Sequence, residues 1–326
     1  MLVAVTGASG HVGGNLIREL LKRGRTVRAL VRPGDTRAIE GLEVERSYGD
    51  LLDQESLTRA FAGAEVVYHL AARISIRSGD EAEVFRVNVD GTRNVVESCL
   101  RSGVRRLVHF SSVHAFHQVP HHEPIDEARP IADFDGTLPY DRSKARGERE
   151  ITAGLARGLD AVIVNPSGII GPYDFKPSPL GEVLLKMAQR RLPGLVDAGY
   201  DWVDVRDVVE AALRAEERGK PGDKYLVPGH WAPIRRLAEI VHSFTGARPP
   251  RLVAPLWLAR FGAPFSEGFA KLTGKRPQFT SHSLQVLAGN SRFLSHKAQR
   301  ELDHKPRPLE ETIGDALSWY RSNGYL

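Results

Sequence analysis

One turn near the N-terminus constrains this chain more than any other stretch. Thr6-Gly7-Ala8-Ser9-Gly10-His11-Val12-Gly13 follows an apolar run, Leu2-Val3-Ala4-Val5, and leads into Asn15-Leu16-Ile17-Arg18-Glu19-Leu20-Leu21, whose apolar spacing is helical. The order reads strand, tight turn, helix. Glycines at a spacing of three allow a sharp bend, a close approach of phosphate to the backbone, and direct packing of the helix on the strand. The first N–H groups of a helix have no partner within it and lie at its positive dipole end. Thr6, Gly7, Ser9, Gly10, His11, Val12 and Gly13 are therefore candidate contacts for a dinucleotide's pyrophosphate. A glycine triplet alone also fits an ordinary strand–helix turn; the flanking strand and helix favour the dinucleotide reading.

The rhythm repeats downstream. Thr26–Val31, Glu43–Tyr48, Glu65–Ala72, Arg105–Ser112 and Asp160–Asn165 read as strands, with helical patterns over 54–62, from about Asp80 to Arg101, and from Pro139 onward. Glu65–Ala72 is almost continuously apolar, as a parallel strand covered on both faces should be. The expected fold class is α/β, a doubly wound parallel sheet, with a dinucleotide-binding domain over residues 1–165. At Pro166 the composition shifts, and the proline-rich stretch Gly171–Pro179 ends the regular alternation. Residues 166–326 read as mainly a smaller substrate-binding region, with helices near 179–191, 205–218, 233–245 and 309–323 and a short strand at 224–228. Asp201–Val208 is expected to lead back, so that 199–228 returns to the first domain.

The bulk properties narrow the partners. The net charge of +5 comes from 45 basic against 40 acidic residues spread along the chain, which argues against nucleic acid as a partner. The single cysteine, Cys99, cannot form an internal disulfide and reads as a small buried hydrophobe in a reducing compartment. No apolar run approaches the length of a membrane span, and the first strand begins at once, leaving no room for a signal peptide. A cytoplasmic protein without membrane contact is expected.

The ends of the strands carry the chemistry. After Val31, Arg32 occupies the position that discriminates cofactors: an acidic residue there binds a ribose 2′-hydroxyl, whereas an arginine fork suits a 2′-phosphate. NADP is favoured and NAD remains possible, since Arg32 and Arg37 could be solvated turn residues with Asp35 reaching the ribose. Asp50 and Leu51 stand where an adenine contact is expected, just before Asp53 caps the next helix. Leu70, Ala71 and Ala72 end their strand with small residues that leave space for cofactor. Ser112 ends another, where ligands of open α/β sheets bind. Residues 113–138 then form a connection long enough to be a lid or substrate wall.

Tyr140 and Lys144 lie four residues apart after Pro139, on one face of a helix. A nicotinamide hydride must be matched by a proton, and a phenol beside an ammonium can supply it because the cation brings the phenol's pKa down. Ser112 can hold the substrate oxygen. His114 and Phe116 read as substrate-cleft residues, or equally as loop packing. His109, His114, His117, His121 and His122 match no metal-ligand spacing, so no metal is expected. Trp202, Trp231 and Trp257 are core or cleft wall.

With these residues in place, the chain resembles the extended short-chain dehydrogenase/reductases. Thr6–Gly13 resembles their TGxxGxxG turn, Asp50 their adenine-side acid, His69-Leu70-Ala71-Ala72 their HxAA strand end, and Asn88 falls in an NVxGT helix. Ser112, Tyr140 and Lys144 fall on their catalytic triad, and Asn165-Pro166 with Gly171-Pro172 on the strand and proline turn beside the nicotinamide. The resemblance implies a Rossmann sheet, cofactor contacts that include Asn88 and Pro166, and Asn165 near substrate. It implies that Tyr140 is the general acid/base, that Lys144 orients the ribose and lowers the Tyr140 pKa, and that Ser112 polarises the substrate. It also suggests a homodimer through helices 80–102 and 139–157. Val113 and His114 stand where sugar 4,6-dehydratases carry an Asp-Glu pair, and Ser111–His117 departs from the sugar-epimerase pattern. The motifs are nearest the dihydroflavonol reductase and 3β-hydroxysteroid dehydrogenase-like branch. The expected function is NADP(H)-dependent reduction of a small-molecule aldehyde or ketone, or the reverse oxidation. The alternatives are an NAD-dependent nucleotide-sugar epimerase and, from another class, a non-catalytic dinucleotide sensor.

Overall fold

A computed structural model describes residues 1–34, 36–74, 79–262, 284, 285, 287, 289 and 292–326. Asp35, the alternative ribose contact, lies outside the described residues. Strands β1 (Leu2–Thr6), β2 (Thr26–Val31), β3 (Glu45–Tyr48), β4 (Val66–His69), β5 (Arg106–Phe110), β6 (Ala161–Pro166) and β10 (Lys224–Val227) form one sheet in the order β3-β2-β1-β4-β5-β6-β10. Every pairing in it is parallel. From the β3 edge the chain crosses to the far side of β1 and adds β4. That reversal between β1 and β4 is the topological switch at which such sheets bind ligands, beyond the carboxyl ends of the strands.

Alternation along β1 builds the two layers. Val3 and Val5 join the core under α1 (His11–Lys22) and α7 (Val205–Arg218), with Leu16, Leu20, Val208 and Leu213. Ala4 faces the other core, formed with Leu57 and Phe61 of α2 (Gln54–Phe61), Val95 of α4 (Gly91–Arg101) and Ile151 of α5 (Pro139–Leu155). Cys99 is buried in that second layer. Local signals set the helix starts. Asp53 Oδ1 accepts from the Glu55 and Ser56 N–H groups, Asp204 Oδ1 from the Arg206 N–H, and Pro139 begins α5, where its missing N–H costs nothing.

The helix expected from Asp80 to Arg101 is interrupted. It runs as α3 (Glu81–Phe85), a π-helical turn over Arg86–Asp90, and α4. Such wide turns occur mostly where function requires a local departure from helical geometry, and this one contains Asn88.

The smaller region packs strands β7 (Gly168–Ile170), β9 (Gly199–Asp204) and β11 (His230–Pro233) into one sheet, and β8 (Leu195–Asp197) with β12 (Val253–Pro255) into another. Helices α6 (Pro179–Ala188), α8 (Ile234–Thr245) and α10 (Leu309–Ser322) cover them around Leu184, Trp202, Leu237, Ile313 and Tyr320, while α9 (His296–Leu302) lies on the main sheet's side. The return of the chain divides at Asp204. Residues 199–204 belong to the smaller sheet, and α7 and β10 go back to the large one. Trp202 is core, whereas Trp231 and Trp257 are exposed. Among the described residues no helix is long and apolar enough to cross a membrane.

Candidate active site

Two of the three turn glycines are required by space. Gly7 has φ +70°, and a Cβ there would stand 2.7 Å from the Ala71 nitrogen; one on Gly13 would overlap the Gly7 carbonyl and approach Ala8 Cα to 2.9 Å. Gly10 caps α1 with no side-chain hydrogen bond, so the first turn of the helix keeps its N–H groups for a ligand. A cradle that any Cβ would fill, at a helix N-terminus and beside the switch point, fits the pyrophosphate of a dinucleotide. The His11 side chain braces the cradle from outside. Its Nε2 bonds the Pro172 carbonyl at 3.0 Å, and Asn15 Nδ2 donates to the same oxygen, tying the loop after β7 to the cradle.

Beneath the cradle runs a chain of hydrogen bonds through His69. The Ala71 N–H donates to Thr6 Oγ1, which lies 2.8 Å from His69 Nδ1; on the other side His69 Nε2 is 3.1 Å from Thr92 Oγ1, which donates to the Asn88 carbonyl. Since Thr92 uses its proton on Asn88, it accepts from His69, which makes His69 the Nε2-protonated tautomer with Thr6 donating to Nδ1. Burial, assisted by the Lys144 charge, pushes His69 down to about 3, so it stays neutral at all physiological pH. Thr6 therefore shapes the site by locking the ends of β1 and β4 together, with its hydroxyl committed to His69.

The Asn88 amide is occupied in the same way. It donates to the Arg73 carbonyl and to Ser143 Oγ, and accepts from the Arg73 N–H at 2.7 Å. Asn88 thus holds the segment after Leu70-Ala71-Ala72 against α5, acting on the cofactor side through that segment. At the adenosine end, Arg32 is 78% exposed, with its guanidinium 3.9 Å from Asp50. Asp50 Oδ1 also accepts from the Leu52 N–H, and Leu51 is buried against Gly91 with its carbonyl accepting from Asn94.

At the end of β5 the three proton-chemistry candidates meet. Ser112 follows the strand and caps a short turn over Val113–Ala115, its Oγ accepting from the His114 N–H. Tyr140 reaches Ser112 from the first turn of α5. Burial pushes the Tyr140 phenol up, Asp141 adds to this, and Ser112 opposes it. This corrects the expected lowering by Lys144. The Lys144 ammonium donates to the Phe110 carbonyl at 2.9 Å, and burial brings Lys144 itself down to about 8, against the pull of Glu148.

Two expected substrate residues are placed elsewhere. Asn165 is fully buried: Nδ2 donates to the Ser112 carbonyl and to Glu148, whose other oxygen accepts from Lys224. It is a strut behind the triad, and Pro166 beside it is buried at the end of β6. Phe116 is buried with Val113, Ile125 and Leu226 and serves as packing. His114 does reach a cleft. It lines a cavity of about 210 Å³ with Val119, Ala132, Phe134 and Leu138, so the long connection after Ser112 supplies most of that wall.

Sequence reasoning missed Tyr200. Its hydroxyl and His114 Nε2 are 2.5 Å apart, their rings stack, and His114 Nδ1 lies 3.4 Å from Asp141 Oδ1. Asp141 could have been noticed as the neighbour of Tyr140. Tyr200 lies 86 positions from its partner and offers no local signal.

A parallel sheet with a glycine cradle at its switch point defines a Rossmann-like, dinucleotide-dependent enzyme. The chain belongs to the NAD-dependent epimerase/dehydratase family, whose sequence model matches residues 3–227. It is 39% identical, over the full length of both, to sterol demethylase protein B of Methylococcus capsulatus. It is 33% identical to a 3β-hydroxysteroid dehydrogenase/Δ5→4-isomerase of Mycobacterium tuberculosis, covering 98% of this chain and 90% of the other. The crystal structure of gox2253 superposes with a TM-score of 0.87 at 35% identity, covering 100% of this chain and 99% of that one. Further relatives along nearly the whole chain carry reductase names. The protein is an NAD(P)-dependent enzyme of the short-chain dehydrogenase/reductase kind.

Proposed function

We propose that the protein is an NADP(H)-dependent reductase of an apolar ketone or aldehyde, run in reverse as an alcohol dehydrogenase. The observation that carries this reading is the meeting of Ser112 and Tyr140 beyond the end of β5, with Lys144 one turn further along α5. The bound nicotinamide supplies the hydride or accepts it. Ser112 donates to the substrate oxygen and holds it. The Tyr140 phenol, pushed up by burial and Asp141, keeps its proton through neutral pH until the oxygen becomes basic enough to take it. Lys144 would hold the nicotinamide ribose, and the α1 cradle the pyrophosphate. Arg32, exposed at the end of β2, would take a 2′-phosphate with its fork.

Val119, Ala132, Phe134 and Leu138 favour a substrate with an apolar body. The names of relatives point the same way: one is a steroid dehydrogenase and another a 2-alkyl-3-oxoalkanoate reductase. Purified protein given NADPH or NADH with a panel of hydrophobic ketones tests the reading by cofactor oxidation. Net NADPH consumption supports it. Tightly retained NAD with no net consumption would identify a nucleotide-sugar epimerase instead.

A further inference from the structure

Five of the ten residues from Leu252 to Phe261 are large apolar side chains left exposed: Leu252, Val253, Trp257, Leu258 and Phe261, with Leu252 at 65%, Trp257 at 70% and Phe261 at 72%. The stretch begins with β12 and turns helical over 256–262. Its inner side is filled, since Leu256 and Ala259 pack against Val196 of β8 and Leu284. At about 100° per residue, Trp257, Leu258 and Phe261 fall on the side opposite Leu256 and Ala259. A single exposed leucine needs no explanation. A cluster of exposed aromatic and aliphatic side chains marks a surface that meets something.

Charge indicates what it meets. Basic residues run through the whole chain, but the acidic ones avoid this part of it. From Ile240 to Arg300 there are nine Lys or Arg and one acidic residue, Glu267, so the whole positive excess of the chain falls there. Arg248, Arg251 and Arg260 are exposed, and among the described residues none of them has an acidic partner. Arg236 of the neighbouring α8, by contrast, pairs with Glu239 and Glu310.

We propose that the face from Leu252 to Phe261 docks on the surface of an anionic lipid bilayer. Trp257, Leu258 and Phe261 enter the headgroup region, and the arginines beside them meet the lipid phosphates. The contact is peripheral, because among the described residues no helix is long and apolar enough to cross a membrane. It revises the expectation of no membrane contact, which rested on the lack of a spanning run. A second copy of the chain fits the face less well, since a two-fold interface would bring the same arginines together. Arg260 also lines the cavity beside His114, along with Val119 and Phe134, which are both exposed, so the cavity rim borders the docking face. The docking does not rest on the reductase reading above. Taken with that reading, it brings the rim to the phase in which an apolar ketone dissolves.

The test is sedimentation of the full chain, without cofactor or ketone, with vesicles of phosphatidylcholine alone or with about 30% phosphatidylglycerol. Wild type should bind the anionic vesicles about 10-fold or more tighter than the neutral ones in about 0.1 M salt, and the difference should shrink in about 0.5 M. The double variant Trp257→Ser/Leu258→Ser should lose about 10-fold or more in affinity for the anionic vesicles. Arg248→Gln and Arg251→Gln should each cost about 5-fold on anionic vesicles and leave binding to neutral ones unchanged. NADPH affinity by fluorescence titration should stay within about 2-fold in every variant, which shows that each one folds. Wild type that does not sediment with anionic vesicles, or a double variant that binds them equally well, overturns the docking and leaves the reductase reading intact. A dimer in solution that the double variant splits, without vesicle binding by wild type, assigns the face to a second copy instead. Absence of ketone reduction by wild type overturns the reductase reading and leaves vesicle binding untouched.

Discussion

Lys144 donates a hydrogen bond to the Phe110 carbonyl, 2.9 Å away at the end of β5. Its ammonium is thereby anchored to the sheet, and the Tyr140 phenol in the free protein is set by burial and by Asp141. Lys144, at about 8 against an ordinary 10.5, loses its charge within the working range. The value of kcat/KM, which reports groups of the free enzyme, should therefore fall as pH rises through about 8, measured with NADPH and a ketone. A profile flat to pH 9.5, about 1.5 units beyond that value, would remove Lys144 from the rate.

The same shift has a stability consequence of fixed sign. Between about 8 and 10.5 the unfolded chain binds the Lys144 proton and the folded chain does not, so this group's contribution to stability rises with pH across that window. Below it, the buried charge costs the fold free energy. Lys144→Met should stabilise the protein at pH 7 by about 1–3 kcal/mol, after allowance for the lost Phe110 bond, while abolishing turnover. Thermal unfolding at pH 7 and 10 measures it: the gain should shrink at the higher pH.

Gly13→Ala places a methyl group against the Gly7 carbonyl. Because the obstruction is backbone on both sides, it can be relieved only by moving α1 off β1, at about 1–3 kcal/mol. NADPH affinity should fall by at least 10-fold, read by fluorescence titration, together with a lower Tm. Ala substitution at Gly10, whose nearest neighbour would be 3.2 Å away, should be milder.

Arg32→Ala tests the choice of dinucleotide. Losing a charged hydrogen bond to phosphate costs about 1.5–3 kcal/mol, so the preference for NADPH over NADH should drop by about 10- to 150-fold, with NADH kinetics nearly unchanged. An unaltered ratio of kcat/KM values would show that Arg32 does not read the 2′-phosphate.

What the sequence made legible was local. Gly7, Gly13, Asp53 and Pro139 act through the backbone within a few residues of themselves, so the turn, the caps and the alternation could be read directly, and with them the sheet. The order Ser112, Tyr140, Lys144 carried the candidate site for the same reason. Contacts over long separations were hidden. The family resemblance implied that Asn165 lies near substrate, yet its amide is drawn inward by the Ser112 carbonyl and by Glu148, itself held by Lys224. Phe116 read equally as cleft or as loop packing, and burial by Ile125 and Leu226 makes it packing. Asn88 sits in a helical pattern whose π turn has no signature in composition; its partners are the Arg73 backbone and Ser143.

The central claim is that Tyr140 delivers the proton that matches the hydride, and Tyr140→Phe tests it most directly. The substitution keeps the ring and removes only the hydroxyl facing Ser112. With NADPH and a ketone that the wild type reduces, kcat is predicted to fall by about 10²–10⁴-fold. NADPH affinity, measured by fluorescence titration, should stay within about 3-fold, since the phosphates are held at the far end of the site. A Tyr140→Phe protein that turns over at the wild-type rate would contradict the account.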